Sequence, residues 1–101
     1  MSSWKAYDVE RTRLLRKFAD NVIRLRGQKD GGQKPKYSQE DLAHDSGLHR
    51  TEIGKLERAE TEPGLLTVMR VADGLGVTPN DLVADLPVPK LRKPPPGTPR
   101  N

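Results

Sequence analysis

The chain has 101 residues, which is enough for one small domain, and only 33% of them are hydrophobic and 4% aromatic. It contains no cysteine, which excludes disulfides and thiolate metal sites, and no apolar run approaches the ~20 residues that a membrane helix needs. No signal-peptide pattern follows Met1, so we expect a cytoplasmic protein without a membrane partner.

Charge is distributed unevenly along the chain. The formal net charge is +4, yet residues 1–86 hold 14 acidic and 14 basic residues and are therefore neutral. The whole excess lies in the C-terminal segment, at Lys90, Arg92, Lys93 and Arg100. If the body of the protein binds a polyanion, it must do so through a locally basic face.

The first predicted element is a helix from about Val9 to Arg26, with a start near Ser3 as an alternative. We treat residues 1–7 as a separate N-terminal segment and residues 8–86 as the folded domain. The helix prediction depends on apolar residues that recur at spacings of three and four, namely Leu15, Phe18, Val22 and Leu25.

A loop is predicted from Gln28 to Lys36, because this stretch contains paired glycines, a proline and no apolar residue. Three lysines make the loop basic. They are either solvated or, if a DNA-binding helix lies beside the loop, in contact with phosphate.

The stretch Ser38 to Arg58 reads as two short helices joined by a tight turn. Ser38 is a natural N-cap, and Gly47 lies where the first helix, 39–46, must stop in a left-handed conformation. The second helix is predicted over 50–58. Two helices with a short glycine-containing turn are typical of the helix-turn-helix motif.

Two further helices are predicted after this motif. The run from Leu65 to Leu75 is apolar on most sides, which predicts the central buried helix of the domain, ended by Gly76. Thr78 and Pro79 then start a last short helix. The segment 87–101 contains six of the nine prolines, so we expect an extended, disordered, basic tail.

Several separate sequence features resemble one family. The runs SQEDLA, SGL, TEIGKLE and VADGLGV, in this order and spacing, are similar to the phage repressor/Cro-type (XRE-like) helix-turn-helix family. The resemblance covers roughly residues 21–86. It implies an all-α fold, a compact five-helix bundle of the lambda-repressor-like DNA-binding type, followed here by the Pro-rich basic tail. The implied function is a sequence-specific, double-stranded DNA-binding transcriptional regulator of bacterial or phage origin.

The resemblance also implies roles at particular positions. A glutamine like Gln39 binds DNA phosphate and braces the recognition helix, and an ion pair like Arg26–Glu57 ties that helix to the first one. Arg50, Thr51 and Lys55 match exposed positions of the recognition helix, about 50–58, that face the major groove, where arginine is a preferred partner of guanine. Arg58 matches a position that contacts the DNA backbone. The candidate DNA-binding residues are Gln39, His49, Arg50, Thr51, Glu52, Lys55 and Arg58.

Two of these candidates have a structural alternative. His49 precedes the recognition helix as a weak cap, so Arg50 is the first residue with a free side chain. Glu52 either accepts a hydrogen bond from cytosine or orients Arg50 or Lys55. Arg50 is therefore the best single candidate for sequence readout.

Other function classes are less well supported. His44 and His49 are spaced by five across a turn, which does not place two imidazoles on one helical face, and no catalytic or cofactor motif is recognisable. We therefore expect neither an enzyme nor a cofactor. The main alternative is a protein-interaction module, an antitoxin or adaptor, on the same fold. Because one such domain reads only a few base pairs, we also expect a homodimer on a two-fold site.

Overall fold

The computed structural model describes residues 3–88, with side chains from residue 8 onward, and this part of the chain is all-helical. The helices are α1 Ser3–Lys29, α2 Gln39–Ser46, α3 Arg50–Glu57, α4 Leu65–Leu75 and α5 Pro79–Leu82. The five-helix architecture predicted from the sequence is thus confirmed. Within these residues, no helix is long and apolar enough to cross a membrane. The predicted disorder of the tail concerns residues that lie almost wholly outside the described range.

Helix α1 is longer than the pattern from Val9 to Arg26 predicted. It begins at Ser3, the earlier of the two starts that the sequence allowed, and continues to Lys29, so it has 27 residues. The predicted apolar stripe is correct, since Leu15, Phe18 and Val22 are all buried. The loop that follows begins at Asp30 instead of Gln28.

The predicted ends of α2 are confirmed, and α3 begins at Arg50 as predicted but ends at Glu57, one residue before the predicted end. The Ser38 hydroxyl accepts a hydrogen bond from the Asp41 backbone N–H at 3.1 Å, and the Asp41 carboxylate accepts one from the Ser38 N–H at 2.8 Å. This reciprocal capping satisfies two backbone donors that would otherwise have no partner at the start of α2. Gly47 ends α2 with a φ of 71°, a left-handed conformation that glycine adopts without steric cost.

Helix α4 differs from its predicted role as the central buried helix, and that prediction was wrong for its N-terminal half. Leu65, Leu66 and Met69 are 78%, 66% and 47% exposed, whereas Val71 and Leu75 lie in the core. Helix α4 packs mainly against α2 and less against α5 and α1. Its apolar residues in the core are Val71, Ala72 and Leu75, with Val68 packed against them. An apolar composition on most sides of a helix therefore did not imply burial on most sides.

A close helix crossing and a buried amide fix the remaining elements. A Cβ atom at Gly74 of α4 would lie 2.9 Å from the Cβ of Ser46, so glycine permits α2 and α4 to touch. Asn21 of α1 is 1% exposed, and its amide donates hydrogen bonds to the Leu82 and Ala84 carbonyls at 2.8 and 2.9 Å. These carbonyls at the end of α5 are thereby paired without water.

Candidate nucleic-acid interface

One side of α3 is fixed in the core by a buried carboxylate. Glu57, which is 7% exposed, accepts two hydrogen bonds from the Arg26 guanidinium at 2.7 and 3.0 Å and a third from the Gln39 amide at 2.9 Å. The Arg26 guanidinium also donates to the Tyr37 carbonyl at 3.0 Å. Since Ile53 and Leu56 of the same helix are also buried, the orientation of α3 relative to α1 and α2 is set by both packing and charge. The ion pair Arg26–Glu57 implied by the resemblance is present.

The other side of α3 is open and polar. Four of the predicted DNA-binding residues surround one shallow depression of about 190 Å³, together with a glycine that the sequence did not single out; the lining residues are Gln39, Arg50, Thr51, Gly54 and Arg58. Arg50 and Thr51 occupy the first turn of α3, and Arg58 caps its C-terminus. The depression therefore runs along the whole exposed length of α3.

The glycine in this depression has a steric role. A Cβ atom at Gly54 would lie 3.0 Å from Nη1 of Arg58, so the absence of a side chain lets the Arg58 guanidinium lie against the helix backbone. Sequence reasoning missed Gly54 because a glycine inside a helix carries no chemical signal of its own. Its position one turn after Arg50 was the only sign.

Both arginines of the depression have carboxylate neighbours. Arg58 donates to Glu60 from Nε at 2.8 Å and from Nη2 at 3.3 Å. Arg50 Nε lies 3.7 Å from a carboxylate oxygen of Glu40, with side chains that are 67% and 74% exposed. The Glu60 carboxylate raises the pKa of Arg58, and the Arg58 guanidinium lowers the pKa of Glu60. Both members of the Arg58–Glu60 pair are thus charged at neutral pH.

The remaining predicted residues lie at the edges of α3. His49 is the exposed N-cap, and its backbone N–H donates to the Glu52 carboxylate at 3.2 Å. Glu52 thus helps to cap α3, a role different from the predicted alternative of orienting Arg50 or Lys55. Glu52 and Lys55 line a second depression of about 250 Å³, on the side of α3 that faces Pro63.

The lysine-containing loop before α2 is held in place by aspartates. The Asp30 carboxylate accepts hydrogen bonds from the Gly32 and Tyr37 backbone N–H groups, both at 2.8 Å, and these bonds lower its pKa. The Tyr37 hydroxyl donates to Asp45 at 2.5 Å and lies 3.2 Å from the Gly74 carbonyl. Burial and the neighbouring Asp45 carboxylate raise the pKa of Tyr37 above its ordinary value. The loop that leads to Gln39 is therefore ordered by contacts that loop composition did not indicate.

Over residues 3–88, no three histidine, cysteine, aspartate or glutamate side chains are arranged to hold a metal ion. His44 is 90% exposed at its side chain, with Nδ1 3.3 Å from an Asp45 carboxylate oxygen. The His44–Asp45 contact lies on the surface of α2.

The fold, the capped α2–α3 pair and the exposed polar side of α3 define a helix-turn-helix protein. The family model described as helix-turn-helix matches residues 33–82, and the chain belongs to this family, of the phage repressor/Cro-like kind. It is a sequence-specific, double-stranded DNA-binding transcriptional regulator, and its family is regulatory rather than enzymatic.

Two individual proteins show how far the likeness extends. Control protein C.BamHI of Bacillus amyloliquefaciens is 37% identical over 69 residues, which cover 65% of this chain and 85% of that protein. The crystal structure of the restriction-modification controller protein C.AhdI from Aeromonas hydrophila superposes with a TM-score of 0.57 at 31% identity, covering 67% of this chain and 94% of that one. The chain is thus similar to nearly the full length of a restriction-modification controller.

Proposed function

We propose that α3 enters the major groove of DNA and that Arg50 is its principal base-reading residue, with Thr51 and Lys55 beside it. The observation that carries this proposal is the shared depression, in which Arg50 and Thr51 lie next to Gln39 and Arg58. Repressor-type recognition helices present their N-terminal residues to base edges, and Arg50 is the first residue of α3.

The two other residues of the depression are assigned to the DNA backbone. Gln39 is the first residue of α2, and the helix dipole favours an anion at a helix N-terminus. The Gln39 amide also donates a hydrogen bond to Glu57 of α3. A phosphate bound at Gln39 is therefore connected to α3 through this hydrogen bond. Arg58 lies at the opposite end of α3 and is placed to reach a second phosphate. His49 and Glu52 shape the N-terminus of α3 beside these contacts.

The experiment is a binding comparison on DNA selected from a random pool with the wild-type protein. Arg50→Ala is expected to reduce discrimination between the selected sequence and a scrambled duplex by about tenfold to a hundredfold, the value of one bidentate arginine–guanine pair. Arg70→Ala is the matched control, because Arg70 is an exposed arginine of α4 outside the depression. Equal losses with the two variants, or no loss with Arg50→Ala, contradict the proposal.

We also propose that two copies bind one two-fold operator, with half-sites about one helical turn apart. One recognition helix reads only a few base pairs, whereas specificity in a genome needs more. The surface we assign to the contact is the exposed apolar patch of α4 formed by Leu65, Leu66 and Met69. Water-exposed apolar side chains grouped on one helix are typical of a protein contact surface.

Sedimentation of the protein–DNA complex tests this assembly. Wild type is expected to give two protomers per operator, and Leu65→Glu is expected to give one, with weaker binding. Val9→Glu is the matched control, since Val9 is 51% exposed but lies on α1. One protomer per operator for wild type contradicts the dimer. In that case the α4 patch would fit the alternative, a protein-interaction module such as an antitoxin or adaptor.

We further infer that the regulated genes belong to a restriction-modification system. The support is the similarity to a restriction-modification controller along 94% of that protein's length. A reporter gene placed behind the promoter of a restriction or modification gene that contains the selected site is expected to change expression when the chain is present. An unchanged reporter, with binding to its promoter verified, contradicts this inference.

A further inference from the structure

The Arg58–Glu60 pair occupies one two-donor edge of the Arg58 guanidinium. Nε and Nη2 form one edge of the guanidinium, and both donate to the two carboxylate oxygens of Glu60, at 2.8 and 3.3 Å. Arginine binds phosphate through the same two-point geometry. A phosphate that takes this edge must therefore displace Glu60.

The rest of the Arg58 guanidinium is also restricted. Nη1 lies beside the α3 backbone, 3.0 Å from the place where a Cβ of Gly54 would be. This contact keeps the guanidinium in the depression that also contains Arg50 and Thr51. Arg58 is thus held at the proposed DNA surface while its charge is neutralised by a residue of the same chain.

The exposure of the pair makes exchange with DNA feasible. The Arg58 and Glu60 side chains are 57% and 49% exposed, so water and ions screen their attraction. Exposed ion pairs are worth little in net free energy. A polyanion that brings several phosphates to the depression can therefore displace the single carboxylate, at a modest cost in affinity.

We propose that Glu60 is an internal competitor of DNA for Arg58 and so lowers the affinity of the protein for DNA of every sequence. This role depends on the assignment of Arg58 to a phosphate made above. Phosphate contacts carry no direct sequence information, so Glu60 changes overall affinity and leaves the preference for the operator unaltered. A regulator with such a competitor releases non-specific DNA more readily, at the same specificity ratio.

The test is Glu60→Gln, which keeps the shape of the side chain and removes its charge. DNA affinity is expected to rise between about twofold and fivefold, for the operator and for a scrambled duplex alike, as expected for an exposed ion pair. The gain should shrink as salt is raised, because screening weakens the competing carboxylate. Glu62→Gln is the matched control: it removes the same charge two residues away, where the partner is Arg11 at 3.0 Å.

A double-mutant cycle separates competition for Arg58 from simple repulsion between Glu60 and DNA. In an Arg58→Ala background, Glu60→Gln is expected to give no gain, because the residue for which Glu60 competes is absent. A gain of the same size in both backgrounds, or a gain with Glu62→Gln equal to that with Glu60→Gln, overturns the proposal.

The phosphate contact of Arg58 and the competitor role of Glu60 are tested separately by these variants. If Arg58→Ala alone leaves DNA binding unchanged, the assignment of Arg58 to phosphate is wrong. If Arg58→Ala weakens binding but Glu60→Gln does not strengthen it, that assignment stands and the competitor role of Glu60 is wrong. Thermal unfolding of each variant is expected to match wild type, since the side chains concerned are exposed.

Discussion

Two arginine–glutamate pairs meet α3 near its C-terminus, and they differ mainly in how far water reaches them. In the pair Arg26–Glu57 the side chains are 22% and 5% exposed, and the carboxylate has a third donor from Gln39. In the pair Arg58–Glu60 they are 57% and 49% exposed, and the acceptor has no donor besides Arg58 among the described residues. The same chemical pair therefore acts as a fixed brace inside the domain and as an exchangeable contact at its surface.

The physical reason for the difference is the cost of separating the charges. Removing one partner from a buried pair leaves the other charge without water or a counter-ion, which is strongly unfavourable. Separating an exposed pair leaves both groups hydrated, so the change in free energy is small. A recognition helix needs both arrangements, because its position must be constant while its reading surface must accept DNA.

The largest effect on stability is expected from removal of the buried Arg26–Glu57 ion pair. Glu57→Ala leaves the Arg26 guanidinium uncompensated, and we expect the free energy of unfolding to fall by about 3 kcal/mol. Urea denaturation followed by circular dichroism measures the loss. Glu60→Ala is the matched comparison and should leave the urea midpoint nearly unchanged, because both members of its ion pair are exposed. Similar losses for the two variants would remove the distinction between brace and surface contact.

Two glycines provide a second comparison between the interior of the domain and the proposed DNA-facing side of α3. Gly74→Ala puts a Cβ 2.9 Å from Ser46 Cβ and 3.0 Å from Ser46 N, so α2 and α4 must separate; we expect about 2 kcal/mol of destabilisation. Gly54→Ala meets only the end of the flexible Arg58 side chain, at 3.0 Å. It should be neutral or stabilising, because alanine favours a helix by up to about 1 kcal/mol over glycine. Thermal melts of both variants test the order.

The smallest effect concerns the contacts that order the loop before α2. The hydrogen bond from Tyr37 lowers the pKa of Asp45 below its usual 3.8. A lowered pKa in the folded state means that the stabilisation is complete above the unfolded-state value and is lost as the pH falls through the folded-state value. Asp45→Asn should therefore be less stable than wild type at neutral pH, and this difference should be lost only in acid below the usual pKa of 3.8, as the pH falls through the lowered pKa of Asp45. Urea midpoints between neutral and acid pH measure it, and a difference that grows in acid is the contrary result.

Local features of the fold were predictable from the sequence because the residues that determine them are neighbours. Ser38, Gly47 and Gly76 specify helix ends through their own backbone and nearest turn, and the structure places each end where it was expected. The spacing of Leu15, Phe18 and Val22 likewise defines a buried stripe without knowledge of what covers it.

Features that depend on distant residues were not predictable in this way. The Asn21 amide reaches Leu82, and Gly74 touches Ser46, contacts that join α1 to α5 and α2 to α4. Nothing in the local sequence of either partner specifies them. The exposed first half of α4 was misassigned for the same reason, since burial is a property of what packs against a helix.

The candidate site was predictable in part. The resemblance indicated Gln39, Arg50 and Arg58, and the structure brings all three to one depression. The structure also shows two contacts whose partners the sequence did not specify. The Gln39 amide donates a hydrogen bond to Glu57, and the Arg58 guanidinium donates to Glu60. The binding roles themselves remain predictions.

The most direct test of the account is a base-pair substitution scan across the selected operator, with the affinities of wild type, Arg50→Ala and Arg58→Ala measured for each substituted duplex. We predict that Arg50→Ala becomes indifferent to one G·C position in each half-site while it still discriminates at the others. Arg58→Ala should weaken binding to all duplexes by a similar factor. A uniform loss with Arg50→Ala, or a position-specific loss with Arg58→Ala, would contradict the division of α3 into a base-reading N-terminus and a phosphate-binding C-terminus.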